Sequence, residues 1–429
     1  MRLRPLFLLA TFGVLATPAA WAQEPSIPAS PPADTSFLAD PDGDLQPDSL
    51  GEVRPGLSFS PKIYAPILYL PSSGFGIGLG VEVKNLGFAG SSLLIQAIPT
   101  QRTGQYGAWF QTRSPYTPGP SLLVGGYYET TSRLLYYGVG PSTSYDNEVG
   151  IEKELLEGEV RASYGIFPSA RLRVQAHARY QDHDLHDARD LKGGSLGRLD
   201  ARSAARLDGT FAQDARAVAF GADVIYDSRT NLFNPQRGVT LQLGLAQTEP
   251  ADGDWGGFRR LYASANVFHP ILFGDARLAG RALFIDTNAG EDVPYVLLPV
   301  LDSRLVPGSS RYRFAANDLL LLTGEVAYPL LDLLGAVAVD GVVSAVLYNA
   351  YDDVFKQFTP SVSFAKTLDG ARDNTPLRPA AGLGFRFYSY ALETLFLDVT
   401  LGLSPERLDV GSITLVTDLR LPRALMRGR

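Results

Sequence analysis

The 429-residue chain has no cysteine, which excludes a disulfide framework, a thiolate metal site and a lipid-modified cysteine anchor. Beyond residue 22 it also lacks any run approaching the roughly 18 apolar residues that a membrane-spanning helix requires. A basic excess is missing too. The formal net charge of −7 leaves no electrostatic footprint for nucleic acid, so none is expected as a partner. Histidine is scarce, and none of His177, His183, His186 and His269 has a serine or carboxylate at a recognisable catalytic spacing. The chain is therefore not expected to be an enzyme, no cofactor is implied, and stability must come from packing and backbone pairing.

What is present begins with an export signal. Arg2 and Arg4 precede an apolar run from Leu6 to Ala16, and Ala20-Trp21-Ala22 forms a small-x-small cleavage site, so residues 1–22 read as a signal peptide. Residues 23–55 hold seven Pro and seven Asp or Glu with few aromatic or β-branched residues, too little apolar surface to offset ordering entropy, and a disordered leader is expected there. From residue 56 to 429 the texture changes to strand-sized segments broken by Gly, Pro, Asn and Asp.

Those segments alternate with a period of two. Val218, Phe220, Ala222, Val224 and Tyr226 share one face, while Ala219, Gly221, Asp223 and Asp227 share the other; Ile225 is the exception. After a turn, Val239, Leu241, Leu243 and Leu245 alternate with Thr240, Gln242, Gly244, Ala246 and Thr248. A greasy face opposite one that carries charges such as Asp223 and Asp398 suits a barrel with lipid outside and water inside, and 20 Tyr and 22 Phe supply aromatics for its interfacial girdles. Strands are expected at 63–70, 75–84, 91–100, 104–113, 121–130, 152–165, 169–181 and 213–227. They continue at 237–249, 256–269, 274–287, 317–329, 335–349, 379–389, 392–403 and 409–421. The fold class is thus all-β, a sixteen-stranded antiparallel transmembrane β-barrel. Short connections are expected at 71–74, 101–103, 166–168, 228–236, 270–273, 330–334, 390–391 and 404–408, and the longest loops at 131–151, 182–212, 288–316 and 350–378.

Four stretches carry a resemblance. The turn Asp227-Ser-Arg229, with Pro235 and Gly238, resembles the elbow of the BamA/TamA superfamily of outer-membrane barrels, the bacterial surface antigens. In register with it stand Ile67-Leu-Tyr-Leu-Pro-Ser-Ser-Gly-Phe-Gly-Ile-Gly78, Tyr136-Tyr-Gly-Val-Gly140, and Arg313-Phe314 followed by Asp318 and Glu325-x-x-Tyr328-Pro329. The resemblance implies sixteen strands, an outer-membrane location, and a sixth outside loop whose Arg-Gly-aromatic tip tucks into the barrel. Here the motif glycine is Gly308, so Pro307 stands at the arginine position and Ser309 at the aromatic one. Glu325 keeps one acidic wall position, whereas the aspartate expected on the next strand is read as Asn349. Restoring both, as Pro307→Arg with Asn349→Asp, is therefore expected to couple favourably. Thirty-three leader residues are too few for the POTRA modules that assembly-active members carry, which is the main departure.

The lumen and lid candidates are Arg311, Arg313, Phe314, Glu325 and Asn349, with Arg311, Arg313 and Glu325 read either as a charged constriction or as a network that rigidifies the loop. Asp227, Arg229, Pro235 and Gly238 read more plainly as turn-formers. Gly74, Gly76, Gly78 and Gly80 are expected on an inward strand face, not in a phosphate loop. Gln181-Asp-His-Asp-Leu-His-Asp187 has the composition of a cation ligand set, but its spacing matches no calcium or zinc loop, and no metal site is assigned. The resemblance implies a role in outer-membrane protein insertion, translocation or lipid handling by opening between the first and last strands. The partners so implied are outer-membrane lipid, client β-barrel proteins, or a periplasmic partner supplying POTRA-like function. The alternatives are a passive pore or binding barrel that has lost this role and, third, an enzyme using the 182–212 loop.

Overall fold

The computed structural model describes residues 60–416 apart from 65–66, 71–73, 87–89, 100–102, 142, 144–148, 167–168, 188–214, 231–234, 273–275, 302–304, 310–312, 334–336, 366–373, 390–393, 406–407 and 410–412. The expected signal and leader, and Arg311, lie outside the described residues.

Each expected strand has its counterpart. The first two are interrupted: β1 comprises Ser60–Tyr64 and Ile67–Leu70, and β2 comprises Gly74–Ile77 and Leu79–Lys84. Then come β3 (Ser92–Pro99), β4 (Thr103–Gln111), β5 (Gly119–Tyr136), β6 (Val149–Gly165) and β7 (Leu172–Asp187). They are followed by β8 (Ala215–Asp227), β9 (Gly238–Pro250), β10 (Phe258–Ile271) and β11 (Ala276–Thr287). The last five are β12 (Asp318–Leu333), β13 (Val337–Tyr351), β14 (Thr375–Ser389), β15 (Thr394–Leu403) and β16 (Ile413–Val416). Each strand pairs antiparallel with the next, as in β8–β9 from Ala217↔Pro250 to Asp227↔Thr240. The last strand pairs with β15 at Asp398↔Thr414 and Val399↔Ile413, and with β1 at Leu68↔Val416 and Tyr69↔Leu415. The circuit of pairing returns to its start, which is how a sheet avoids presenting an unpaired edge to lipid.

The two faces follow from the period. On β8, Asp223 and Asp227 are buried while Phe220, Val224 and Tyr226 are exposed; on β9, Thr240 and Gln242 are buried while Leu241, Leu243 and Leu245 are exposed. Large apolar side chains that face outward in this way on strand after strand belong to a lipid-facing band. Gly76 and Gly80 lie on the inward face between outward Ile77 and Leu79. A Cβ on Gly78 would fall 2.9 Å from the Ile98 Cα, so the missing side chain permits a close approach.

Two expectations are corrected. Connections do not sort by length alone, because strand parity decides which end each one occupies. Residues 71–73, 100–102 and 404–412 join strand ends at the same end of the barrel as the long loops, and only the other short connections lie at the opposite, turn end. Second, β5, β6 and β7 run beyond their expected limits at the long-loop end, through Tyr136↔Val149 and Ile151↔Asp187. This converts Asp182–Asp187 from loop into strand. Alternation then buries His183 and leaves Asp184 exposed, so these two side chains point to opposite faces.

The parity makes a sharp prediction. Leu243 is 51% exposed and its neighbour Gln242 only 6%, so Leu243→Arg should cost about 2–4 kcal/mol near the midplane while Gln242→Arg is tolerated. Urea unfolding of both variants in lipid vesicles measures this, and equal penalties would refute the register of β9.

Candidate functional site

A connection rich in Val, Leu, Tyr and Phe gains little by lying in water, and residues 288–316 instead turn in over the long-loop end. Two apolar clusters hold them. Val293, Tyr295, Leu297 and Leu298 pack with Trp255, Phe258 and the extended ends of β5–β8, including Tyr136, Ile151, Leu185 and Ala217. Leu301, Val306 and Phe314 pack with Leu319 and Leu321 of β12, Val346 and Tyr348 of β13, and Ala380 of β14. These partners are why β5–β7 exceed a bare membrane crossing: Tyr136 packs against Tyr295 with ring centroids 4.3 Å apart and the rings tilted by 51°, and strand pairing carries it there.

Arg313 and Phe314 form the inner end of this lid. A short ribbon pairs Val300–Leu301 with Phe314–Ala315, and Ala315 also bridges Val139, its carbonyl accepting from the Gly140 N–H at 2.8 Å. The Tyr136-Tyr-Gly-Val-Gly140 motif therefore runs alongside the lid. Arg313 is fully buried and donates from Nη1 to the Thr143 hydroxyl and from Nη2 to the Thr143 carbonyl at 2.6 Å. Its guanidinium lies 4.6 Å from the Phe314 ring centroid and 5.3 Å from that of Tyr137. Arg378 of β14, also fully buried, approaches the same Phe314 ring at 5.5 Å and donates to the Pro141 carbonyl at 3.2 Å. Full burial of Phe314 alone contributes roughly 1.5–3 kcal/mol to holding the lid.

The tip of the lid reaches the wall by shape. Glu325 of β12, Ser344 of β13, Gly382 of β14 and Gly402 of β15 are successive register partners, and the last two leave a notch in that row. Pro307 and Gly308 occupy it. A Cβ on Gly382 would meet Pro307 Cγ at 3.0 Å, and one on Gly402 would strike the backbone of Pro307 and Gly308. Gly308 itself has φ +78° and a Cβ there would lie 2.7 Å from the Gly402 carbonyl carbon, so glycine is required for both backbone and space.

The wall supplies Glu325 with its own cations. Glu325 accepts from both terminal nitrogens of Arg386, at 2.5 and 2.7 Å, and from Arg277 at 3.5 Å. Arg313 and Glu325 thus have different partners, and the grouping of those two as one charged constriction is corrected. Arg386 lies two strands away on β14, so this bidentate pair is invisible to a search confined to the loop motif.

Asn349 is also corrected. It alternates with Tyr348 and Ala350, which pack inward against the lid, so its own side chain takes the opposite face. There Nδ2 donates to the Pro376 carbonyl at 2.7 Å and Oδ1 accepts from the Ala350 N–H at 2.8 Å. Ser344 is the residue opposite Glu325, five positions earlier, and an odd offset from it flips the face. Beyond β13, the short helix α1 (Val354–Gln357) is capped by Asp353. Burial alone would raise the Asp353 carboxyl, but the hydrogen bond and charge of Lys356, with the Lys356 and Phe355 N–H groups, hold it below the ordinary carboxylate range.

At the turn end the elbow residues converge. Asp227 accepts from Arg229 Nε at 2.8 Å and Nη2 at 2.5 Å, and from the Thr240 hydroxyl at 3.3 Å. Gly238, at φ +118°, passes so close that a Cβ would lie 2.5 Å from the Ser228 carbonyl oxygen. The Pro235 carbonyl accepts from Arg277 Nη1 at 3.4 Å, and Arg277 also reaches Glu325. One arginine that the motifs did not name therefore links the elbow to the wall beneath the lid.

With this geometry the chain is similar to BamA from Haemophilus ducreyi lacking POTRA domains 1–3: TM-score 0.58, 13% identity, over 83% of this chain and 68% of that one. The fold is that of the Omp85-type outer-membrane barrels. CdiB from Escherichia coli is similar at TM-score 0.52 and 12% identity, over 84% of this chain and 63% of CdiB, so the chain spans less than two-thirds of CdiB. No protein-family model and no curated protein matches the sequence. At these identities the likeness establishes the Omp85-like barrel and leaves its task to be argued from the residues.

Two predictions concern the lid. Gly402→Val should expel the tip, read as faster proteolysis within residues 288–316 of the folded barrel; unchanged protection would show that the notch does not seat it. Pro307→Arg should destabilise, because it crowds a Glu325 already held by Arg386. Combined with Asn349→Asp it should be additive within about 0.5 kcal/mol, because the two side chains face opposite sides of the wall. Favourable coupling in thermal denaturation of the four proteins would restore the expectation drawn from the family motif.

Proposed function

We propose that this barrel works in the bacterial outer membrane, inserting or translocating other outer-membrane proteins or handling lipid, through a seam between β1 and β16 and without catalysing a covalent reaction. One observation carries the reading. Every other neighbouring pair of the sixteen strands is consecutive in the chain, whereas β1 and β16 are joined by backbone pairing alone, at Leu68↔Val416 and Tyr69↔Leu415 among the described residues. Opening a ladder exposes backbone donors and acceptors in lipid, so the least costly place to part is the one where no turn or loop also tethers the two strands. A parted seam offers strand edges, to which a client hairpin adds by the same backbone pairing. The inward lid favours lateral over axial passage, since both apolar clusters lie across the long-loop end.

The pore alternative draws on the polar lumen wall of β6–β9, where Glu157 accepts from Gln181 at 2.9 Å and Asp223 from Gln175 at 2.9 Å. Steady conductance of the pure protein in planar bilayers would favour it.

The cysteine-free chain allows a clean test of the seam. A disulfide between Leu68→Cys and Val416→Cys, or between Tyr69→Cys and Leu415→Cys, should abolish rescue of a depleted strain, scored by the levels of other outer-membrane proteins and by lipid asymmetry. A matched bond between Leu243→Cys and Ala263→Cys in the β9–β10 ladder should leave rescue intact. Full rescue with the seam locked, or depletion that alters neither readout, would refute the proposal.

A further inference from the structure

On β12 an outward apolar run from Leu320 through Leu322, Val326 and Tyr328 to Leu330 is bounded by Asp318 and Asp332. Its eleven positions match the roughly 9–11 residues of one tilted crossing, so Leu320 marks the upper edge of the lipid band. Its register partner on β11 is Phe284. Against Phe284 packs Phe355 of α1, edge to face with centroids 6.0 Å apart. Phe355 is nevertheless 54% exposed, and Phe364, farther along the same segment, is 76% exposed. Val362, between them, is exposed as well.

The segment is held in place. The Val354 N–H donates to Asp318 Oδ2 at 2.7 Å, the other oxygen of that carboxylate accepting from the Thr287 N–H at 2.9 Å. Residues Phe358–Val362 pair in parallel with the start of β14, the Ser363 N–H donates to the Leu377 carbonyl at 2.9 Å, and Tyr351 meets Phe358 edge-on at 6.3 Å. Beneath it lie polar groups on the outward side of the wall, Asp318 and Asn349, both buried. A fixed segment that covers polar groups below and turns three large apolar side chains away is amphipathic about its own length.

We infer that residues 353–364 form a foot whose Phe355, Val362 and Phe364 rest in the headgroup–acyl boundary of the leaflet at the long-loop end. Lipid is the occupant because the exposed patch continues, through the Phe355–Phe284 contact, the surface that lipid already covers. The inference rests on the membrane barrel and not on the seam, so either can fail alone.

The test uses the full chain folded into phosphatidylcholine vesicles, with single nitroxide labels at Phe364→Cys and Phe355→Cys. Leu243→Cys on the lipid face and Asp252→Cys in an exposed connection are the references. Collision with dissolved oxygen should exceed, and collision with a water-soluble nickel chelate should fall several-fold below, the values at Asp252→Cys, placing both labels between the references. Nickel access at Phe364→Cys equal to that at Asp252→Cys would overturn the foot and assign the patch to a protein partner or a second copy. Phe364 decides the matter if the two labels differ, because substituting Phe355 removes its contact with Phe284 whereas Phe364 is 76% exposed.

Discussion

Everything in this barrel depends on one constraint: within lipid, each backbone N–H and C=O must find its partner inside the protein. A sheet meets it only by returning to its first strand, which the pairing of β16 with β1 does. Once the ring exists, side chains have two destinations and the period-two pattern sorts them. Along β8 and β9, charged and amide groups such as Asp223 and Gln242 go inward, where water or a counter-charge can serve them, and apolar groups such as Leu243 go outward. Where the lid covers the wall inside and residues 353–364 cover it outside, the two kinds exchange places. Lid, notch and elbow clamp are all built on the inward parity class; the foot is built on the outward one.

The same constraint shapes the lid. A connection that enters the lumen must satisfy its own backbone, and residues 288–316 do so piecemeal, through a two-residue ribbon, a bridge to Val139 and carbonyls that accept from wall arginines, as Leu297 does from Arg260 at 2.5 Å. Its tip carries no charge into the wall. A Pro-Gly tip in a glycine notch needs no counter-ion, while Glu325 is neutralised by Arg386 and Arg277 from the wall. With the ion pair held within the wall, closing the lid does not require burying a charge at its Pro-Gly tip.

Much of this was legible in the sequence, and its limits are physical. Strand positions were readable because alternation is local, so Asp223, Gln242 and Leu243 fell on their faces by counting. The family pattern singled out Phe314 and Arg313, and Asp227, Arg229 and Gly238, but the contacts each one makes are visible only in the structure. Asn349 failed through parity, since an error of one residue in assigning a strand partner changes the face. Gly382 with Gly402, and Arg386 with Glu325, could not be read, because each pair is set by register between strands and not by spacing along one. The lengths of β5–β7 escaped for a related reason: their ends are extended by contacts with a loop more than a hundred residues away. A search for inward glycines at matching depth on adjacent strands would have flagged the notch.

The central claim is that a continuous ring of pairing is weakest where it closes. Hydrogen exchange of backbone amides in the vesicle-embedded barrel measures this directly, strand by strand. Amides of β1 and β16 should exchange by local opening orders of magnitude faster than those of β8 and β9 at the same depth, with the remaining strands protected throughout. Uniform protection around the ring, with the seam as slow as β8–β9, would contradict the account.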